Sequence, residues 1–399
     1  MKLKSIFRGD TGIWVVFFLL SLVSLAAVYS SIGLEAYSHK GPGPTGLFLK
    51  HLAIVAATYV AIILISRINY RYFSRFAVLG YWASLVLLVI LMALGQRWWV
   101  IPGIGQFQPS EIAKVVLIIF VARMMALKKE NQMQELSTFI QLLFYIALVA
   151  GFVMPENFST AALIFLACYI MMYLGGVNKK YWWRVFAVGM VAVVAFLAFS
   201  YYKYEKSLIS GEAQEQVIER QATWGHRVYS WINPQPDELT QENIARMAEA
   251  RGGVLGKRVG STIHGRLMTQ AHNDFIYAII IEESGFIGGL IVFALYAIFY
   301  LRCIRLAKRC SGPFGKITVA GMGTVIYLQA LVNMSVAVGA LPVTGQTLPF
   351  ISYGGTAYLF LGCGVGVIQA VAADIERQKT RVKADCTTTI ERVAQEGEE

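Results

Sequence analysis

The chain of 399 residues is 56% hydrophobic and only 15% charged, with a mean hydropathy of +0.56. That composition excludes an ordinary soluble domain and implies a polytopic membrane protein. The formal net charge of +11 comes without basic-aromatic clusters, so cytoplasmic loops facing anionic lipid headgroups account for it and nucleic acid does not.

Apolar runs long enough to cross about 30 Å of hydrocarbon occupy 13–32, 48–66, 77–95, 110–127, 138–154, 160–176, 185–202, 274–301, 317–340 and 352–373. They predict an all-α membrane protein of ten transmembrane helices. The first run follows Lys2, Lys4 and Arg8, but it is long for a signal-peptide core and lacks a small-x-small cleavage site, so it reads as a retained helix. Basic residues mark every even-numbered exit: Arg67, Arg71 and Arg75; Arg123, Lys128 and Lys129; Lys179, Lys180 and Arg184; Arg302, Arg305 and Lys308; Arg377, Lys379 and Arg381. The odd exits are poor in them. By the positive-inside rule both termini are cytoplasmic, and the large loop 203–273 between helices 7 and 8 is external.

The 203–273 loop is too long for a simple connection. It carries Trp224, Tyr229, Trp231, a Pro234-Gln235-Pro236 turn, a helical stretch from Gln241 to Arg251 and a run of glycines, and reads as folded against the membrane. Residues 1–373 form the membrane domain, and the polar residues from Asp374 onward form a mobile cytoplasmic tail. The cysteines Cys168, Cys303, Cys310, Cys363 and Cys386 all lie outside the external loop and suggest no disulfide framework.

Asp274 ends the polar stretch and opens the eighth run. A carboxylate there can reach both water and lipid-borne substrate, although an Asp at a helix start also serves as an N-terminal cap. On a helix starting at Asp274, Glu282 shares its face and lies roughly 12 Å deeper, where pairing with a basic residue in a neighbouring helix is its expected role. Glu283 points the other way. In the fourth run Gln108-Pro109-Ser110-Glu111-Ile112-Ala113-Lys114 reads as a helix start, with Glu111 and Lys114 on one face. Lys114 in an apolar span calls for either an internal ion pair or a phosphate ligand. The uncharged, Pro- and Gly-rich stretch 341–355, with Thr344 and Ser352, reads as a re-entrant or tightly packed loop that needs shielding by protein. It suits sugar or phosphate oxygens, or is explained by turn chemistry alone. His272, His226 and His264 give no metal-ligand spacing, and nothing in the chain signals nucleotide hydrolysis or an organic cofactor.

Taken together, Gly95-Gln96-Arg97-Trp98, Gln108 to Lys114, Pro155-Glu156-Asn157-Phe158-Ser159-Thr160-Ala161, His272-Asn273-Asp274-Phe275-Ile276 and Pro342-Val343-Thr344-Gly345 through Gly355 resemble, in order and spacing, the SEDS family of membrane-embedded peptidoglycan polymerases. Arg8-Gly9-Asp10 and the Pro155 to Ala161 variant look more like its division branch than its elongation branch. The resemblance implies polymerisation of lipid II in the bacterial cytoplasmic membrane, at the septum, by an inverting glycosyl transfer with Asp274 as catalytic base. It further implies Arg97, Lys114, Arg258 and Arg266 or a divalent cation (Mg or Mn) at the diphosphate, with Glu111, Thr344 and Ser352 at the substrate and Glu282 and His272 in support. The implied partners are a class B penicillin-binding protein and other division membrane proteins. Two departures stand out: Met268-Thr269-Gln270 replaces a Leu-Pro-Glu run, and Ser159 replaces a glycine in the Pro155 motif. A lipid flippase built from ten spans with a midplane acid and lysine, and a scaffold recruiting a transpeptidase, are the competing classes.

Overall fold

A computed structural model describes residues 7–31, 43–95, 98–101, 105–155, 157–209, 224–234, 240–258, 260–263, 273–353 and 355–396. All ten apolar runs are helical, since a chain without water beside it must satisfy its amides internally. They form α1 Thr11–Ser31, α2 Pro44–Arg67, α3 Tyr70–Ala93, α4 Pro109–Ala126, α6 Leu136–Val153, α7 Phe158–Leu174, α8 Lys179–Ile209, α11 Ile276–Lys308, α12 Pro313–Ala337 and α13 Thr356–Glu396. Eight of these are long and apolar enough to cross a membrane. The other two are α4, which carries Glu111, Lys114 and Arg123, and α7, which has 17 residues.

Three shorter helices complete the described set: α5 Glu130–Met133, α9 Trp224–Ile232 and α10 Gln241–Gly252. An antiparallel hairpin, β1 Trp99–Ile101 with β2 Gly105–Phe107, pairs Val100 with Gln106. The purely helical expectation missed it. The charged residues after Asp374 continue α13 to Glu396, where a mobile tail was expected.

The helices are not equally enclosed. The apolar windows of α12 and α13 are 78% and 72% buried, whereas none of the α8 window is. Helix α12 is therefore the centre of the bundle and α8 its lipid-facing margin. Aromatic packing of Phe17, Phe350 and Tyr358 closes the core beside α1 and α13.

Helix α11 is broken. Gly285 has φ 72° and ψ −176°, a backbone open in practice only to glycine. A Cβ on Gly289 would lie 3.0 Å from the Tyr277 hydroxyl, yet those residues would be about 18 Å apart along a straight helix. The segment before Gly285 therefore folds back, and Glu282 does not lie at the simple depth expected from an unbroken helix. The break exposes backbone groups, and the turn after α10 satisfies them. The amides of Phe286 and Ile287 donate to the carbonyls of Gly253 and Val254, and those of Lys257 and Arg258 to the carbonyls of Glu282 and Glu283. This contact is so close that a Cβ on Gly256 would sit 2.2 Å from the Glu283 carbonyl oxygen.

Candidate active site

Two chain-distant stretches meet at Asp274: the start of α11, which it precedes, and the C-terminal end of α12 with the non-helical stretch 338–353 that follows it. Phe275, not Asp274, takes the N-cap position of α11, and no side chain caps that end. What fixes Asp274 is its neighbourhood. Phe275 is 2% exposed and packs with Ile244, Ala245, Ala278, Ile279 and Val336. Asn333 of α12 donates to the Asp274 carbonyl at 2.8 Å and to the Gln346 carbonyl at 2.7 Å. Ser352 donates to the Asn273 carbonyl at 2.6 Å and accepts from the Leu348 amide at 2.8 Å. A Cβ added to Gly345, whose φ is +65°, would lie 3.8 Å from Asp274 Oδ2. The loop thus passes over the carboxylate, and any side chain at 345 would narrow the approach to it.

Non-helical backbone at this depth needs donors for its carbonyls. Six are supplied from outside the loop. Trp231 Nε1 donates to Gly339, Arg227 to Val343 and Asn333 to Gln346. Gln329 donates to Thr347, Tyr296 to Pro349 and Ser24 to Ile351. The last two bracket Phe350, a non-glycine residue at φ 61° that is 1% exposed. His51 in turn bonds Ser24 at 2.8 Å. Gln346 Nε2 donates to Thr160, whose amide is held by Asn157. The oxygens Asn273 Oδ1 and Thr344 Oγ1, either side of this closure, are buried without a hydrogen-bond partner among the described residues. Polar ligand atoms would find acceptors and donors there.

Lys114 is fully buried and 6%-exposed Glu111 lies beside it. Its ammonium donates to both Glu111 carboxylate oxygens, at 3.1 and 3.0 Å, and to Gln329 Oε1 at 2.8 Å. With three bonds made, all its protons are engaged, so this conformation holds the internal ion pair and not a phosphate site. The pair acts on the loop through Gln329, whose amide nitrogen holds Thr347. Glu282 is also fully buried. It pairs with Arg251 of α10 at 2.6 Å and accepts from Thr262 and the Ile263 amide. The basic partner expected in a neighbouring helix is present, and that helix is the short α10. Glu283 is buried too, and accepts from Ser30 and the Gly260 amide. Arg258 lies exposed on the turn bonded to the Gly285 break. Arg97, Arg266 and His272, with Glu156 and His264, fall outside the described residues.

Two sets of residues were missed. Gln329 and Asn333 stand four apart in the apolar α12 and hence on one face; a pair of amides in a span is itself a signal. Glu249 of α10 has a buried, unpartnered Oε1, and burial pushes its carboxyl up to about 7 against the opposing pull of Arg246. Among the described residues no three His, Cys, Asp or Glu side chains group as metal ligands.

A family model described as a cell cycle protein, FTSW_RODA_SPOVE, matches residues 10–377. The "Probable peptidoglycan glycosyltransferase FtsW" of Coxiella burnetii is 26% identical over 389 residues, covering 94% of this chain and 100% of its own. The Escherichia coli peptidoglycan glycosyltransferase MrdB is 28% identical over 368 residues, covering 88% and 92%. Among solved structures, a chain of a peptidoglycan synthase complex that coordinates polymerization and crosslinking superposes with a TM-score of 0.68 at 21% identity, covering 92% of this chain and 98% of that one. The rod-shape-determining protein RodA of Thermus thermophilus gives 0.64 at 20% identity, covering 92% and 97%. With the fold shared and the family model matched over nearly its whole length, the chain belongs to the FtsW/RodA/SpoVE family of cell cycle proteins.

Proposed function

We propose that this chain is a peptidoglycan glycosyltransferase that polymerises lipid II in the bacterial cytoplasmic membrane, with Asp274 as general base. The observation that carries the reading is the placement of Asp274. It stands at the head of an apolar helix, with its backbone held by Asn333 and its carboxylate under the Gly345 turn. In the proposed step a sugar 4-hydroxyl attacks the anomeric carbon of the lipid-linked MurNAc, and its proton passes to the Asp274 carboxylate. The bond from that carbon to the diphosphate breaks, its electron pair leaves with undecaprenyl diphosphate, and the configuration inverts. Thr344, next to Gly345, and Ser352, whose hydroxyl holds the Asn273 carbonyl, are the proposed substrate contacts. Arg97, Arg258 and Arg266 supply the positive charge a diphosphate needs. A divalent cation (Mg or Mn) at the diphosphate stays part of the proposal, since such an ion needs only one or two carboxylates beside phosphate oxygens; no step is routed through it.

The proposal extends to ten spans with both termini cytoplasmic, α4 and α7 being shielded within the bundle and therefore tolerant of charge or short length. It extends also to a class B penicillin-binding protein as partner, because the similar synthase complex couples polymerization with crosslinking. We assign the chain to the division branch at the septum on Arg8-Gly9-Asp10 and the Pro155 to Ala161 sequence. The elongation branch is the alternative, decided by which mutant the gene complements. The enzymatic test is lipid II polymerisation by the purified protein with its transpeptidase, resolved on a strand gel with other polymerases inhibited. Asp274→Asn is expected to fold normally and to lose about 10²- to 10⁴-fold in rate, the usual worth of a general base. An active Asn variant removes that role, and no strands from wild type bound to its partner removes the activity.

A further inference from the structure

His51 of α2 is fully buried and takes no part in the chemistry at Asp274. Its contacts fix its tautomer. Ser24 of α1, also fully buried, has its hydroxyl 2.8 Å from His51 Nε2 and 2.8 Å from the Ile351 carbonyl oxygen. A hydroxyl has one proton to give and a carbonyl can only accept, so the Ser24 proton goes to Ile351 and His51 Nε2 is the donor to Ser24. In the neutral ring that leaves Nδ1 a bare acceptor, and Nδ1 is buried without a hydrogen-bond partner among the described residues.

The hydroxyls nearby do not answer it. Ser21 gives its proton to the Phe17 carbonyl, so it accepts from Tyr59 and Tyr358, at 3.2 and 3.0 Å. The Tyr358 ring meets the imidazole edge-on at 5.9 Å, and the Tyr353 ring lies tilted at 5.6 Å. An apolar side chain between these rings would pack without leaving a buried acceptor unmade, which is costly. What a leucine could not supply is the Nε2 proton. Its effect shows in the direction Ser24 takes. Helical hydroxyls commonly turn back to their own helix, and Ser21, Thr58, Ser284 and Thr324 each donate to the carbonyl four residues before them. Ser24 instead points out of α1 to the loop, with the imidazole N–H holding its oxygen.

We propose that His51 is a positioning residue for the reaction at Asp274. Its Nε2 proton turns the Ser24 hydroxyl onto the Ile351 carbonyl and so fixes the turn on which the start of α11 rests. The next residue, Ser352, donates to the Asn273 carbonyl beside Asp274. Phe350, just before Ile351, stands at φ 61°, a conformation that a bulky residue keeps only where its surroundings over-determine it. Tyr296 holds the Pro349 carbonyl on one side of it and Ser24 the Ile351 carbonyl on the other. His51 thus reaches the site in three steps, through Ser24, the 350–352 turn and Asn273. The proposal rests on the polymerase reading for the reaction, whereas the relay rests on its own contacts.

Gln and Asn separate the two ring nitrogens. In His51→Gln the side-chain amide reaches the place of Nε2 and can donate to Ser24, whereas in His51→Asn it reaches only the place of Nδ1. The full-length proteins with their transpeptidase are assayed for lipid II polymerisation, and amide hydrogen exchange of residues 347–353 is read by mass spectrometry on the same samples. His51→Asn is expected to lower kcat about ten- to hundredfold with KM held, as a small misplacement of the site implies, and to speed exchange across 347–353. His51→Gln is expected to restore both. Ser24→Ala should reproduce the Asn variant and combine with it non-additively, since both cut one relay; should His51→Asn lower the melting temperature, Ser24→Ala carries the test. Wild-type kcat in the Asn and Ala variants, a Gln variant no better than Asn, a loss confined to KM, or full additivity overturns the proposal. With a wild type that makes no strands, exchange decides alone: faster exchange rescued by Gln removes the polymerase reading and leaves the relay standing, and unchanged exchange removes the relay.

Discussion

The Lys114–Glu111–Gln329 cluster makes the sharpest test of how the site is supported. At 3.0 Å and an effective dielectric constant of about 20, the gross attraction is about 5 kcal/mol, set against several kcal/mol of desolvation for each ion. The intact pair therefore adds little net stability, whereas removing one member leaves a buried charge uncompensated. Lys114→Met strands Glu111, and Glu111→Leu strands Lys114 with only Gln329; each is expected to lose about 3–5 kcal/mol. The double variant leaves only the Gln329 carbonyl oxygen unpaired, at about 1–3 kcal/mol. The coupling between the two sites should then be at least about 3 kcal/mol. Reversible unfolding of the four proteins in detergent, with denaturant midpoints and slopes, measures it. Additivity within about 0.5 kcal/mol would mean that the ion pair is not a closed unit, and that Lys114 has another ionic partner.

Other outcomes follow from single residues. Asn333→Leu leaves the carbonyls of Asp274 and Gln346 without their donor, and should cut polymerisation with about 2–6 kcal/mol of stability lost, about 1–3 for each carbonyl; a fall in melting temperature with full activity would mean that Asn333 does not position Asp274. Gly285→Ala places a Cβ 2.2 Å from the Val254 carbonyl oxygen at φ 72°, so the strain of about 1–3 kcal/mol plus the clash should release the 253–263 turn to protease in limited digestion; unchanged cleavage would contradict the break. Glu249 holds its proton in the folded chain up to about 7 but releases it near 4.5 when unfolded. The folded state thus binds more protons between those values, and stability falls as pH rises through that window. The effect is at most about 3 kcal/mol and is reduced by partial solvent screening. Glu249→Gln should flatten the melting profile between pH 5 and 8, and an unchanged slope would assign the dependence elsewhere.

The helices were legible because length and hydropathy are sufficient to specify a span, and the helix α10 because Gln241 to Arg251 reads as a helical stretch within a polar run. Asp274 was legible from its place at the edge of an apolar stretch. What supports it was not. Gln329 and Asn333 differ from a structural amide only through the carbonyls they meet, and those belong to a loop about a dozen or more residues away in sequence (Thr347 and Gln346) or to a segment 59 residues away (Asp274). The break at Gly285 was hidden because glycine is common in membrane helices, and a positive φ leaves no trace in sequence apart from the residue itself. A basic partner for Glu282 in a neighbouring helix was legible, but not which one: Arg251 comes from α10, which is placed beside α11 by the turn that repairs the break.

These features share one physical cause. On the proposed reading, a lipid-anchored reaction needs an irregular backbone at the membrane edge, because helices alone cannot bring a carboxylate, a turn without side chains and open space to one point. Irregular backbone in an apolar medium is costly unless every carbonyl is answered. Here Trp231, Arg227, Asn333, Gln329, Tyr296 and Ser24 answer six of them. Most of these donors are neutral, so the loop is held without placing a row of fixed charges beside the Asp274 carboxylate. The contacts of Asn333 and Ser352 fall on the carbonyls of Asp274 and Asn273, not on the carboxylate, so they set its position while leaving its basicity to its surroundings. The ionic links, Lys114 with Glu111 and Arg251 with Glu282, stand one step back and act through Gln329 and through the Gly285 break. Loss of an outer link should therefore act on the geometry of Asp274 before it acts on its protonation, and an Arg251→Met variant should lower the polymerisation rate while keeping the wild-type pH profile.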